Sequence, residues 1–311
     1  MASRFELILH GEDAPWLRAA GEEALSEIRR LEHQLSRYRP TSDIGRINAR
    51  AADEPVRVES RLFRLLQHCR QLYTVTSGAF DITVAPLMNA WGFTHSTGQL
   101  PAEDRLTRAR EHCGMHLVEL DEREHSVTFS RPGVTIDLGA IGKGYAVDEA
   151  MLLLREAGVE SAFLHGGTST IYGLGSPPDS DAWRVAVPRS AQELHGEESP
   201  VALAELCNAS LSVSAVWGKS FVADGVVYGH VLDPRLGRPV EGADLAAVTS
   251  RSATTADALS TALLVLGADA RDVVSDYGDV GALVVERPSG AKQRMSAAPH
   301  MIRMASGLTI V

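Results

Sequence analysis

Cysteine is almost missing from this chain of 311 residues: only Cys69, Cys113 and Cys207 occur, far apart and odd in number. No CxxC spacing exists, which argues against a cysteine-based metal site or a disulfide scaffold and predicts three reduced, buried thiols. Lysine is equally scarce, at Lys143, Lys219 and Lys292, so a lysine inside a glycine-rich motif stands out from the background. Positive charge is in deficit, with 30 Lys plus Arg against 40 Asp plus Glu and a formal net charge of −10. That balance speaks against general nucleic-acid binding, which wants a basic surface. Long apolar runs are missing too: none approaches the ~18 residues that a membrane-spanning helix needs. Residues 1–10 put charge among a few apolar residues, with no small-residue cleavage site and no cysteine to carry a lipid. A cytoplasmic protein is the expectation.

What remains is ordinary globular composition, 44% hydrophobic and 23% charged. The length suits one large domain or two intimately joined ones. Without a low-complexity linker or an internal repeat, a single domain over 1–311 with soft subdomains is expected.

Hydrophobic periodicity predicts a strand over 4–10 and a helix over 14–36, with Ala20, Ala24, Leu25, Ile28, Leu31 and Leu35 near one face. A polar loop follows at 36–43. A second amphipathic helix over 59–75 stops at Ser77-Gly78, a C-cap signal. Residues 79–93 read as a packed loop with a short helix, 103–113 as a helix, and 116–120 with 125–130 as a hairpin. Val134–Leu138 reads as a buried strand, followed by a glycine-rich turn and a helix from Tyr145 to Ala157. Strands are expected near 163–164, at 183–188, 201–206, 210–216, 226–232 and 280–286. Loops are expected at 176–182 and 189–200, and a small-residue helix at 255–266. Helix pairs mixed with hairpins, rather than steady βαβ alternation, predict an α+β fold with mixed or antiparallel sheets and packed helices.

Four constellations could carry chemistry. The first is Asp137-Leu-Gly-Ala-Ile-Gly-Lys-Gly144, between the expected strand and helix. Glycines allow a ligand to approach the backbone, and a helix N-terminus offers N–H groups to an anion. Neither the Walker nor the GxGxxG spacing is present. The bland alternative is a glycine-rich turn with a solvated lysine. The second is Thr254-Thr-Ala-Asp257-Ala-Leu-Ser-Thr261. Asp257 and Thr261 are i and i+4 on a helix, so their oxygens share a face. Such hard oxygen donors suit Mg²⁺, which also takes water and phosphate oxygens. The alternative is an Asp near a helix start with a Thr packed behind it.

The third is Tyr228-Gly-His230-Val-Leu-Asp233-Pro, a strand end carrying a possible proton carrier or an ordinary hydrogen-bonding histidine. The fourth is Gly78-Ala-Phe80-Asp81 through Trp91-Gly-Phe93. Phe80 and Trp91 could form a planar slot with Asp81 as a polar handle, or simply an aromatic core under a loop. The 35–43 loop adds Tyr38.

In this order, the motifs resemble those of the ApbE family of flavin transferases (FAD:protein FMN transferases), over about residues 4–270. The family-like blocks are LSRYRPTSDIGRIN (35–48), GAFDITVAPLMNAWGF (78–93), IDLGAIGKGYAVD (136–148), HVLDPRLGRPV (230–240) and TADALSTALLVLG (255–267). The resemblance implies an ApbE-like fold with the ligand in a cleft between two interwoven subdomains. It implies Mg²⁺-dependent transfer of FMN from FAD to a Thr or Ser hydroxyl of an acceptor protein, with AMP leaving. The Ala140 carbonyl, Asp257 and Thr261 would hold the metal. Tyr38, Ala79, Phe80, Asp81, Asp137, Lys143 and Val231 would contact FAD. Lys143 and Asp257 would serve catalysis, and His230 would transfer a proton or orient substrate.

The chain departs from the family pattern at Ser214-Ala-Val-Trp217-Gly-Lys-Ser-Phe221, which lacks a Ser-Gly pair. Other departures are Thr168-Ser-Thr-Ile171, where an Asn or Asp is expected, and Gly142, where Ala is common. None falls on the metal or lysine positions, but the first bears on acceptor recognition. FAD hydrolysis by water and non-catalytic FAD binding are the alternative functions.

Overall fold

The structure, a computed structural model, describes residues 4–94, 97–167, 169–188, 200–275, 277, 279–287, 295–298 and 302–304. The chain divides into two compact units. One comprises Met1–Glu32, Ile141–Trp217 and Glu241–Val311; the other comprises His33–Ala140 and Gly218–Val240. Both combine helices with antiparallel strands, so the α+β expectation holds.

The first unit is built on a seven-stranded sheet in the spatial order Phe5–His10, Ser161–Gly166, Thr170–Leu174, Ala209–Ala215, Ala243–Ser250, Gly281–Glu286 and Met295–Ala298. Every pairing is antiparallel. A three-stranded sheet of Trp183–Val187, Ala202–Leu206 and Ile302–Met304 covers one face. There Val187, Ala204 and Leu206 pack with Leu211, Leu245, Ala247, Leu283 and Val285. The helices Gly142–Glu156 and Ala253–Leu266 pack on the sheet and on each other.

Strand Ala209–Ala215 reads ASLSVSA, and its period of two separates the faces. Leu211 and Val213 point into the apolar cluster, while Ser212 and Ser214 turn toward the Ala253–Leu266 helix. That helix is apolar on nearly every side, as a helix sunk into a core must be.

The second unit holds the helices Asp43–Arg50, Ser60–Val75, Ala85–Ala90 and Glu103–Arg110. It also holds a three-stranded sheet of Val56–Arg57, Ser126–Phe129 and Val118–Asp121 and two hairpins, Ser220–Ala223 with Val226–Gly229 and Leu232–Asp233 with Arg238–Pro239. Its helix Ser60–Val75 buries Leu62, Leu65, Leu66, Cys69 and Leu72, as the periodicity predicts. It ends where Ser77 and Gly78 take positive φ.

Three expectations fail. Val134–Leu138 is not a sheet strand. Its backbone is claimed by other partners: the Asn48 side chain bonds both Ile136 N and O, and Asp137 N donates to Ile82 O. The strand expected over 226–232 breaks at His230–Val231, because Pro234 and Gly237 turn the following segment into its own hairpin. Cys207 is exposed, and only Cys69 and Cys113 are buried; burial pushes the Cys113 thiol up to about 12. The loop expected over 189–200 lies outside the described residues except for Pro200.

Candidate active site

In the first unit, the glycine-rich turn opens the Gly142–Glu156 helix, with Lys143 and Gly144 in its first turn. Gly144 is required by a close approach: a Cβ there would stand 2.1 Å from Ala253 O and 2.8 Å from Asp257 Cβ. The two helices therefore nearly touch backbone to backbone, which seats Asp257 against the start of its neighbour.

Asp257 is only 3% exposed. Its Oδ2 accepts the Gly144 backbone N–H at 3.0 Å, and its Oδ1 lies 3.5 Å from Lys143 Nζ. Two hydroxyls, Ser212 Oγ at 3.3 Å and Thr170 Oγ1 at 3.4 Å, also donate to Oδ1. A buried carboxylate is tolerated only when paired and hydrogen-bonded, and here both conditions are met. Lys143 is not a solvated surface lysine; its side chain is 18% exposed.

One turn on, Thr261 Oγ1 donates to Asp257 O at 3.4 Å and lies 3.2 Å from Ser214 Oγ. Ser214 also meets Ser260 Oγ at 2.8 Å. Lys143 thus stands beside Asp257, with Thr261 one turn on, inside a belt of hydroxyls from Thr170, Ser212, Ser214 and Ser260 that the sequence did not single out. The alternating serines of 209–215 were the available signal.

Asp148 was also missed. Its carboxylate accepts from Ala253 N at 2.8 Å, Thr254 N at 2.9 Å, Ser252 Oγ at 2.9 Å and Thr254 Oγ1 at 2.6 Å. It satisfies the open N–H groups at the start of the Ala253–Leu266 helix. Gly144 and Asp148 are i and i+4, so one face of the first helix carries both the close approach and the cap.

In the second unit, Asp137 Oδ1 accepts from Gly139 N at 2.9 Å, and Oδ2 lies 3.2 Å from Arg37 Nε. The Arg37 guanidinium sits 4.8 Å over the Tyr38 ring, which is 70% exposed. Arg37 therefore joins two predicted residues and was not itself predicted. Asp137 N also bonds Ile82 O, beside Asp81.

Asp81 Oδ1 accepts from Thr83 N at 2.7 Å and Thr83 Oγ1 at 2.6 Å. Burial raises its carboxyl from 3.8 to about 6, against the opposing pull of the Thr83 bonds and the nearby His116. Ala79, Phe80 and Trp91 are buried, and Trp91 Nε1 donates to Gly237 O at 2.9 Å. Phe80 and Trp91 therefore form no open slot; Trp91 belongs to the core with Leu87, Phe93 and Leu232.

His230 is half-buried, with Nδ1 3.1 Å from Lys219 O. Val231 O accepts from Val240 N, and Ala140 ends the turn that follows Asp137.

A divalent cation fits the oxygen-only donors of Asp257 and Thr261. Among the described residues, no group of three or more His, Cys, Asp and Glu gathers into a protein-only cage. In general, Mg²⁺ is bound by one or two carboxylates with waters and substrate phosphates completing the shell.

The ApbE family matches residues 1–284. A protein of Vibrio cholerae named FAD:protein FMN transferase is 28% identical over 290 residues, covering 92% of this chain and 84% of the relative. A protein of the same name from Treponema pallidum is 30% identical over 261 residues, covering 81% of this chain and 72% of the relative. The crystal structure of the ApbE protein of Thermotoga maritima is similar with a TM-score of 0.82 at 29% identity, over 94% of this chain and 93% of that one.

Proposed function

The chain belongs to the ApbE family and is a flavin transferase, and from that premise we propose Mg²⁺-dependent transfer of FMN from FAD to a Thr or Ser hydroxyl of an acceptor protein, with AMP leaving. The observation that carries the proposal is the buried Asp257 carboxylate, flanked by Lys143 Nζ, Gly144 N and, one turn on, the Thr261 hydroxyl.

In this reading, Asp257 and Thr261 hold the metal, and the family resemblance adds the Ala140 carbonyl. Bound Mg²⁺ supplies charge neutralisation at the pyrophosphate. Lys143, which shares Asp257 in the structure, turns its ammonium to the phosphate oxygens. Tyr38, Asp137, Val231 and the 79–81 turn take the rest of FAD. Because Ala79 and Phe80 bury their side chains, they serve through backbone groups.

The acceptor hydroxyl oxygen attacks the phosphorus on the FMN side. The new oxygen–phosphorus bond forms as the anhydride bond breaks, and AMP leaves with the electron pair. The hydroxyl proton passes to His230. AMP is a good leaving group, so positioning and charge stabilisation supply most of the acceleration.

The deciding assay incubates the protein with FAD and Mg²⁺, with and without an acceptor domain bearing a Thr flavinylation site. In-gel flavin fluorescence and AMP are read together. A fluorescent acceptor band with matching AMP is expected. AMP and FMN without a band make the protein a hydrolase, and neither product makes it a binding protein.

A further inference from the structure

Strand Phe5–His10 lies at one end of the seven-stranded sheet and pairs along one side only, with Ser161–Gly166. Just before it, Arg4 O accepts from Gly167 N at 2.9 Å, which fixes the phase of the ladder. Hydrogen-bonded and non-bonded pairs alternate along antiparallel strands. Glu6, Ile8 and His10 therefore turn their backbone N–H and C=O groups inward, to Ser161–Gly166. Those of Phe5, Leu7 and Leu9 turn to the other edge, which no strand meets among the described residues. The usual protections of such an edge are missing, since FELILH holds no Lys, no Pro and no bulge.

The side chains divide by the same period of two. Leu7 and Leu9 lie against the Ala14–Leu35 helix, beside Gly21, yet both are only half-buried. The opposite face carries Arg4, Glu6, Ile8 and His10. Glu6 lies 3.0 Å from Arg4 Nε and 3.2 Å from His165 Nε2, and the His10 ring stacks on Trp183. Between these polar neighbours Ile8 is 49% exposed.

We propose that this edge pairs with the same edge of a second copy of the chain, antiparallel about a two-fold axis at Ile8. Outward groups must meet outward groups, so the axis has to pass through a residue rather than between two. An axis at Leu7 sets Glu6 against Ile8 and Arg4 against His10. One at Leu9 sets Glu6 against the Glu12 of the second copy. An axis at Ile8 sets Ile8 on Ile8, Glu6 on His10 and, just past the strand ends, Arg4 on Glu12. That register matches apolar with apolar and acid with base, and such directly opposed pairs stabilise a sheet while like charges oppose it. The open groups of Leu7 then bond those of Leu9 in the second copy, and the reverse. The contact is isologous and closes as a dimer.

Sedimentation of the full chain without FAD, from roughly 5 to 200 µM, covers the range of a small transient interface. The mass should climb from 33.4 kDa toward twice that value. Ile8→Lys puts two ammonium groups across the axis and should raise the dissociation constant at least about tenfold. Its melting temperature should stay within about 2 °C of the parent, because the side chain is half-exposed. Cross-linking reads the register. In a Cys207→Ser background the remaining thiols are buried. There Ile8→Cys brings two Cα atoms about 4.5 Å apart, within disulfide reach, and should give a covalent dimer under mild oxidation. Arg4→Cys, more exposed but set against Glu12, should not.

A parent that stays at 33.4 kDa throughout, with Ile8→Cys not cross-linked, overturns the proposal; if that thiol also resists a soluble thiol reagent, the chain covers its own edge. A dimer unmoved by Ile8→Lys forms through another surface and overturns it as well. Equal cross-linking of Ile8→Cys and Arg4→Cys reflects random collision and removes the register. Should Ile8→Lys fail to fold, the Ile8→Cys dimer decides. None of these results bears on the flavin chemistry, which this edge does not enter.

Discussion

Asp81 offers a stability test that needs no substrate. Burial lifts its carboxyl from 3.8 to about 6, and the side chain is 8% exposed, so solvent screens little of the effect. The folded protein therefore holds a proton on Asp81 at pH values where the unfolded chain has released it. With more protons bound in the native state, stability falls as pH rises across the window from about 4 to about 6. At about 1.4 kcal/mol for each tenfold difference, ionised Asp81 costs the fold roughly 3 kcal/mol at pH 7 and above. Asp81→Asn removes the titration while its amide oxygen can still accept from Thr83 N and Thr83 Oγ1. The amide nitrogen faces Gly114 less well than a carboxylate oxygen does, which offsets a third of the gain, roughly 1 kcal/mol. The expected net gain is therefore about 2 kcal/mol at pH 7.5, shrinking as pH falls and reversing sign at about pH 4.5. Urea unfolding of both proteins from pH 3.5 to 8 measures it. Subtracting the two curves cancels every carboxylate the proteins share. A difference that stays flat with pH refutes the burial argument, and one that grows toward low pH refutes its sign.

Other consequences follow from the helix pair. Gly144→Ala puts a methyl 2.1 Å from a backbone oxygen, so the helices must part; about 3 kcal/mol and a melting-point loss of roughly 6–10 °C are expected in calorimetry. Asp148→Ala removes the acceptor of two backbone N–H groups and two hydroxyls; a loss of about 2 kcal/mol by denaturant titration is expected, and Asp148→Asn should recover part of it. Lys143→Gln should slow FMN transfer by roughly 100-fold or more, and a rate within threefold of the parent in the gel assay removes Lys143 from the pyrophosphate.

Much of this protein is local and therefore legible in the chain. Helices Ala14–Leu35 and Ser60–Val75 follow from apolar spacing, because a 3.6-residue period must bury one face. The pairing of Asp257 with Thr261 needs only i, i+4 geometry, and the isolated Lys143 among glycines marks the turn that faces them. Even the serine belt is written as a two-residue alternation in 209–215, once that segment is known to be a strand.

The tertiary structure decided the rest, because those features depend on partners far along the chain. Val134–Leu138 has strand-like composition, but Asn48 and Ile82 take its hydrogen bonds first. Phe80 and Trp91 could have been a slot or a core; burial made them core. Arg37 and Asp148 carry no pattern of their own. Arg37 matters because folding leaves it 3.2 Å from a carboxylate 100 positions away, and Asp148 because the next α-helix, Ala253–Leu266, begins on its oxygens. Periodicity reports which face a residue occupies, but only the packed chain reports which distant groups its polar atoms meet.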